Sequence, residues 1–303
     1  MTPTTFEPCE ICGGTDWESV YSGAIRNGGF GNVLEHAEIS RCGDCGVERL
    51  NEASCFDNSH YETDAYRAKL EQKTNTAGYL KQHDSLQRHT LEALWPTSLR
   101  GKIVADIGCA GGSFLDHISG IAERLVAIEP AAMYHNDLRR RGYHTHSFAA
   151  DAAAAFTGKV DVAISSQVIE HVLNPRAFLA DITQLLAPDG TLLISTPNRD
   201  DILMDLLPDD FPAFFYRSVH RWYFDAASLA QCAERAGLTT IATHYVHRYD
   251  MANALLWLRD RRPSGLGGLP VLDGIADGFW KSYLEGTGRA DCLYMAFRRA
   301  DSV

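Results

Sequence analysis

Two cysteine pairs and one loop of small residues carry the chemistry legible in this sequence. Cys9-Glu10-Ile11-Cys12 and Cys42-Gly43-Asp44-Cys45 each place two thiols two residues apart. Such a pair can clamp one edge of a tetrahedral zinc ion, and Gly13, Gly14, Gly43 and Gly46 free the flanking turns. Four thiolates leave no open coordination position, so the zinc expected here is structural. The 29 residues between the pairs, 13 to 41, exceed the usual spacing and read as a hairpin with the tip Arg26-Asn27-Gly28-Gly29-Phe30-Gly31. Cys55, Cys109, Cys232 and Cys292 lack such pairing and read as core residues.

The second feature is Asp106-Ile107-Gly108-Cys109-Ala110-Gly111-Gly112-Ser113-Phe114. Small residues after a buried strand let a ligand approach the backbone at the head of a helix. A nicotinamide fingerprint would need glycine where Ala110 and Ser113 stand, so a dinucleotide reading is weak. Glu129 follows 23 residues after Asp106, where a carboxylate can accept both hydrogen bonds of a ribose diol. Its plainer role is a charge at a helix N-terminus.

Two histidines suit acid–base work near neutral pH. His171 follows Glu170 beyond the strand at 160–167, and His220 lies in Phe214-Phe215-Tyr216-Arg217-Ser218-Val219-His220-Arg221-Trp222-Tyr223. That segment mixes aromatic faces, Tyr216 and Trp222, with Arg217 and Arg221, which can pair with a carboxylate or a diphosphate. The bland alternative for the run is core packing.

These residues need elements to position them. Residues 61–95 lack strand alternation and read as helical, with Pro96 ending the run. Strands are expected at 102–108, 124–130, 144–148, 160–167 and 191–197, with helices at 131–141 and 175–187 between them. Two further strands follow at 239–246 and 291–299, separated by a partly helical insert that includes 252–259. Strands alternating with helices predict a mostly parallel sheet covered on both faces. The division expected is a zinc-binding module at 1–58, a helical lid or linker at 59–99 and a catalytic domain at 100–303.

Composition narrows the class. Of 303 residues, 45% are hydrophobic and 22% charged, enough to bury a sizeable core. The formal net charge of −11 repels phosphate backbones and argues against nucleic acid as a partner. No basic start precedes an apolar run and no stretch is long enough to span a membrane, so a cytoplasmic location is expected, where cysteines favour metal over disulfides.

The loop at 106–114 resembles motif I of class I S-adenosylmethionine (SAM)-dependent methyltransferases. Ser165-Ser166-Gln167-Val168-Ile169-Glu170-His171-Val172 resembles that family's fourth strand and its continuation. Leu186-Ala187-Pro188-Asp189-Gly190 looks like the turn before its fifth strand, with Asp189 in place of a glycine. The four-cysteine module makes the chain similar to bacterial sugar methyltransferases that carry an N-terminal zinc-binding unit. The resemblance covers roughly 100–250 and implies a Rossmann-like α/β fold with a seven-stranded sheet and a small zinc-ribbon-like module. It implies SAM binding by Asp106, Gly108, Cys109 and Gly111 around the methionyl part, by Glu129 at the ribose, by Asp151 near the adenine and by Gln167 beneath the sulfonium. Tyr61, Tyr66, His83, Asp84 and Gln87 are expected in a lid. His220, or alternatively His171, is the expected base, and Tyr216, Arg217, Arg221 and Trp222 the expected acceptor contacts. The acceptor implied is a sugar hydroxyl, free or nucleotide-linked. C-methylation of a keto-sugar, O- or N-methylation of another metabolite, and a non-catalytic zinc-ribbon partner protein stay open, as does a homodimer.

Overall fold

Strongly apolar pentads form the centre of the molecule. The computed structural model describes residues 7–29, 31–63, 65–70, 75–94, 97–263, 268–272 and 274–300. Phe30 at the expected hairpin tip, and Trp95 and Pro96 at the expected helix end, lie outside them.

The strands, in chain order, are β1 (Trp17–Arg26), β2 (Val33–Cys42), β3 (Glu48–Leu50), β4 (Ile103–Ile107), β5 (Arg124–Ile128), β6 (His144–His146), β7 (Val160–Ser166), β8 (Leu186–Pro197), β9 (Trp222–Tyr223), β10 (Leu238–Val246) and β11 (Cys292–Arg299). Seven of them form one sheet in the order β10-β11-β8-β7-β4-β5-β6. From β8 to β6 the pairs are parallel, and β11 runs antiparallel to both neighbours. The chain builds outward from β4 to β6, then returns to the other side of β4 with β7. The crevice at the carboxyl ends of β4 and β7 is therefore the topological switch point, where such sheets bind ligands.

Successive side chains of β4 face opposite sides. Ala105 and Ile107 pack with Val126, Ala163 and Leu229 on one face, and Val104 packs with Phe114, Leu115 and Leu138 on the other. Helices cover both faces, and their starts are capped as the sequence dictates. Asn174 accepts from Ala177 N–H before Pro175–Leu185, and Asp225 accepts from Ser228 N–H before Ala226–Glu234.

Three local expectations change. The helical run at 61–95 is broken into Ala65–Lys69, Thr76–His83 and Gln87–Leu94, the last two joined by a tight turn at Asp84–Leu86. The helix expected at 131–141 begins as a single turn, Ala132–Tyr134, before His135–Arg140. The Pro188-Asp189-Gly190 turn does not precede a strand but sits inside β8. Leu186 pairs with Val160 and Thr191 with Val162, so residues 187–190 loop out between them.

The remaining strands form an antiparallel sheet ordered β1-β2-β3-β9. Its fourth strand comes from far along the chain: Glu48 pairs with Tyr223 and Arg49 with Trp222. Cys9, Ile11, Cys42, Cys45 and Val47 share one apolar cluster with Trp222 and Phe224. Among the described residues, no helix is long and apolar enough to cross a membrane.

Candidate functional site

The loop after β4 is held by a carboxylate from the end of β5. Glu129 accepts from Ala110 N–H at 2.7 Å with one oxygen and from Ala131 N–H at 2.8 Å with the other. Ala110 is thereby kept at φ 45°, a left-handed conformation rare outside glycine. Gln167, just past β7, has φ 57°. Two such residues, one after β4 and one after β7, flank the switch point and point to a ligand site, since strained backbone persists where structure over-determines it. Gly108 also has positive φ, and a Cβ there would run into Val168 Cγ2.

These residues open into a cavity of about 940 Å³ that is lined on the sheet side by Asp106, Gly108, Cys109, Glu129 and Gln167. Asp106 is buried against the cavity wall, and among the described residues nothing hydrogen-bonds its carboxylate. Burial, and then the charge of Glu129, push it up to about 7. Burial also raises Glu129 against the two backbone donors that oppose it. An unpartnered buried carboxylate awaits a donor or a positive group. The methionyl ammonium of SAM is one such group and the ribose diol is a second donor pair, so this edge fits that cofactor.

The lid segment closes the opposite wall. Asp84 accepts from Ser113 Oγ at 2.6 Å, tying the lid to the helix that follows the β4 loop. The ring of Tyr79 lies over Gly111, where a Cβ would meet Tyr79 Cδ1 at 2.5 Å. Tyr61, Tyr66, His83 and Gln87 all line the cavity.

Past β7 the cavity ends on a buried cluster of Glu170, His171 and His220. His171 Nδ1 lies 2.6 Å from the carbonyl oxygen of Val219, which can only accept, so Nδ1 carries the proton and Nε2 the lone pair. Tyr61 donates to the same carbonyl at 2.8 Å, and the Tyr66 hydroxyl sits 3.4 Å from Nε2. Burial lowers His171 to about 4 and holds His220 well below the ordinary imidazole value. The two rings meet edge to face at 4.7 Å, and among the described residues His220 Nδ1 is buried without a partner. Glu170 accepts from Thr196 Oγ1 at 3.1 Å with one oxygen, while the other is buried and unpartnered; burial raises it to about 7.

The structure thus brings Asp106, Gly108, Cys109, Glu129, Gln167, His171, Arg217 and His220 to one cavity, with Gly111 beside it. Four expected contacts are engaged elsewhere. Asp151 is exposed and caps its own helix by accepting from Phe148 N–H. Tyr216 donates to Glu48 at 2.9 Å, and Arg221 pairs with Glu52. Trp222 donates to the Val172 carbonyl at 2.9 Å and lies under the Arg49 guanidinium. Pairing of β9 with β3 draws these three toward the cysteine module. Glu170, Tyr249 and Tyr294 line the cavity without having been singled out. The Glu170-His171 dipeptide was the only sequence signal for the first.

The four module sulfurs converge. All lie within 4.8 Å of one another, with Cys9 Sγ 3.7 Å from Cys45 Sγ and Cys12 Sγ 3.4 Å from Cys42 Sγ. Zinc–sulfur bonds of about 2.3 Å at tetrahedral angles space sulfurs by about 3.8 Å. Both turns close with positive-φ glycines, Gly13 and Gly46, and Gly14 N–H donates to Cys12 Sγ at 3.3 Å. The donor set and geometry fit a structural zinc ion.

A family described as "Methyltransferase domain" matches residues 79–243, more than half of the chain. Among curated proteins, the chain is similar to a ubiquinone biosynthesis O-methyltransferase of Aromatoleum aromaticum, 28% identical over 164 residues, which cover 47% of this chain and 66% of the relative. It is also similar to one of Parvibaculum lavamentivorans, 33% identical over 100 residues, covering 31% and 40%. The chain therefore spans less than two thirds of the length of these relatives. Among solved structures it resembles a chain of the complex between the Haloferax volcanii Trm112 methyltransferase activator and a methyltransferase. The TM-score is 0.51 and the identity 16%, covering 74% of this chain and 95% of that one. This last likeness concerns the fold alone.

Proposed function

This chain belongs to the methyltransferase-domain family, and we propose that it is a SAM-dependent methyltransferase that methylates a hydroxyl oxygen of a small-molecule acceptor. The observation that carries this reading is a shared cavity. The Asp106–Glu129 edge and the buried pair His171 and His220 open into the same space.

When bound, SAM supplies an electrophilic methyl on a positively charged sulfur. Glu129 would hold the ribose diol and Asp106 the ammonium end, with Gly108, Cys109 and Gln167 shaping the wall between them. The lid tyrosines exclude water, and a hydroxyl is positioned for in-line attack. His220, kept neutral by burial, would accept the hydroxyl proton as the new bond forms. His171, fixed by Val219, orients that hydroxyl through Nε2.

Relatives named as O-methyltransferases favour oxygen as the acceptor atom. None of the reported similarities names a carbohydrate, so a sugar hydroxyl ranks as a subordinate reading. It is supported by the aromatic walls of Tyr61, Tyr66 and Tyr249, which suit a sugar face as well as a flat ring. We assign structural zinc to Cys9, Cys12, Cys42 and Cys45, in a unit made of 1–58 together with β9, with 59–99 as the lid and the remainder as the catalytic domain.

Calorimetric titration with S-adenosylhomocysteine, beside Glu129→Ala, tests the cofactor edge. Micromolar binding that weakens at least about tenfold in the variant is expected, as for a lost bidentate carboxylate contact. Absence of binding by the folded wild type would remove the basis of the reading. Mass spectrometry of hydroxylated acceptors then reports the gain of one methyl group.

A further inference from the structure

Most arginines packed against the protein's interior are neutralised. Arg49 pairs with Glu10 and Glu52, Arg199 with Asp225 and Glu48, Arg221 with Glu52, and Arg248 with Asp291. Arg217 and Arg26, both half-buried, have no such ion pair among the described residues. Their backbones bridge each other in parallel, linking the end of β1 to the segment before β9. Among the described residues, the Nε of each is buried without a hydrogen-bond partner, as are those of Arg49 and Arg221, but no carboxylate lies within 4.0 Å of the Arg26 or Arg217 side chain. The Arg26 guanidinium lies over the Phe214 ring at 4.5 Å, an aromatic contact that supplies no counter-charge. Arg217 faces the cavity, beside Tyr66, Tyr249 and Glu170. Burial, and next the charge of Arg217, lower the pKa of Arg26, so the two cations repel. Two like charges held side by side and half-buried repel, and an anion bound to them would relieve that repulsion.

We propose that Arg217, backed by Arg26 from the cysteine-module hairpin, is an oxyanion subsite that recognises a phosphoryl or carboxylate group on the acceptor. It deepens the proposed function, on which it rests. It also makes the N-terminal module a contributor to acceptor recognition, because Arg26 closes its first strand. Guanidinium groups suit such groups through paired N–H donors.

The test uses the full chain saturated with S-adenosylhomocysteine. Inorganic pyrophosphate and benzoate are titrated separately by calorimetry into the wild type, Arg217→Met, Arg26→Met and the two lysine variants. At least one probe should bind the wild type, weaken tenfold or more in both methionine variants and weaken less in the lysine variants. Preference for pyrophosphate identifies a phosphoryl group on the acceptor, and preference for benzoate a carboxylate. The methionine variants should melt no lower than the wild type, because each removes one of two repelling half-buried charges; a purely structural arginine would lower the melting point. Binding of neither probe, or equal binding by all variants, overturns the subsite. Arginine-dependent anion binding by a wild type that ignores S-adenosylhomocysteine would instead refute the cofactor reading and leave the subsite standing.

Discussion

The carbonyl of Val219 accepts the Nδ1 proton of His171 at 2.6 Å, and this one bond decides which face of the imidazole can work. Nε2 is left as an acceptor toward the cavity. Val219 belongs to the segment that also delivers His220, so the orientation of one histidine depends on the placement of the other.

Both imidazoles are depressed by burial, His171 to about 4. A neutral base persists when its pKa lies below the working pH, so the acidic limb of kcat/KM should fall well below 6.5. It should persist in Glu170→Gln and disappear in His220→Asn, with a rate loss of about 10²–10⁴. A limb at or above 6.5 in the wild type would remove His220 as the base. pH–rate profiles of the three proteins make the comparison.

Glu170 has the opposite sign. Its folded value of about 7 exceeds the ordinary 4.5, so the fold binds its proton more tightly than the unfolded chain does. That contribution is complete below 4.5 and is lost as pH rises through 7. Glu170→Gln lacks the loss, so urea unfolding should show its stability relative to wild type rising from pH 5 to pH 8. The change expected is on the order of 2–3 kcal/mol. A flat difference would mean that the carboxyl titrates normally.

Gly108 is constrained twice, by φ of +79° and by Val168. Gly108→Ala should weaken S-adenosylhomocysteine binding about tenfold or more while leaving the far-ultraviolet circular dichroism unchanged. Adding Val168→Ala relieves the contact but not the left-handed strain of about 1–2 kcal/mol. The double variant should therefore recover part of the affinity. Full recovery would show that sterics alone act there.

The cysteine cluster predicts one zinc per chain by elemental analysis. Chelation, or Cys42→Ser, should lower the melting temperature by several degrees, since a few kcal/mol shifts a domain of this size by about 2–4 °C each. Near-ultraviolet dichroism should change with it, because Cys42 and Trp222 share one apolar cluster. Retention of the full wild-type melting curve in metal-free protein would exclude a structural role.

The parts of the site that the sequence exposed are local. Asp106, Gly108 and Glu129 lie at strand ends, where a short motif and one spacing define the geometry. The acceptor contacts were harder to read because they depend on a pairing between residues 175 apart, Glu48 and Tyr223. Without it, Tyr216, Arg221 and Trp222 look as free as Arg217 to meet a ligand. Asp151 was misplaced for a smaller reason: an acid near a helix start can serve its own backbone first. The lid's division into short helices has no strong signal, since the run contains neither glycine nor proline at its second break, Asp84.

The origin of β9 has a consequence for synthesis. The β1–β2 hairpin and both cysteine pairs leave the ribosome early, and the thiols can meet a metal ion as soon as residue 45 has emerged. The open side of β3 must then wait until Trp222 and Tyr223 are made, after β8 of the catalytic sheet. At about 5–20 residues per second, that exposed edge persists for roughly ten to thirty seconds. The N-terminal unit therefore finishes folding late, and the unpaired edge of β3 is open to wrong pairing until β9 arrives.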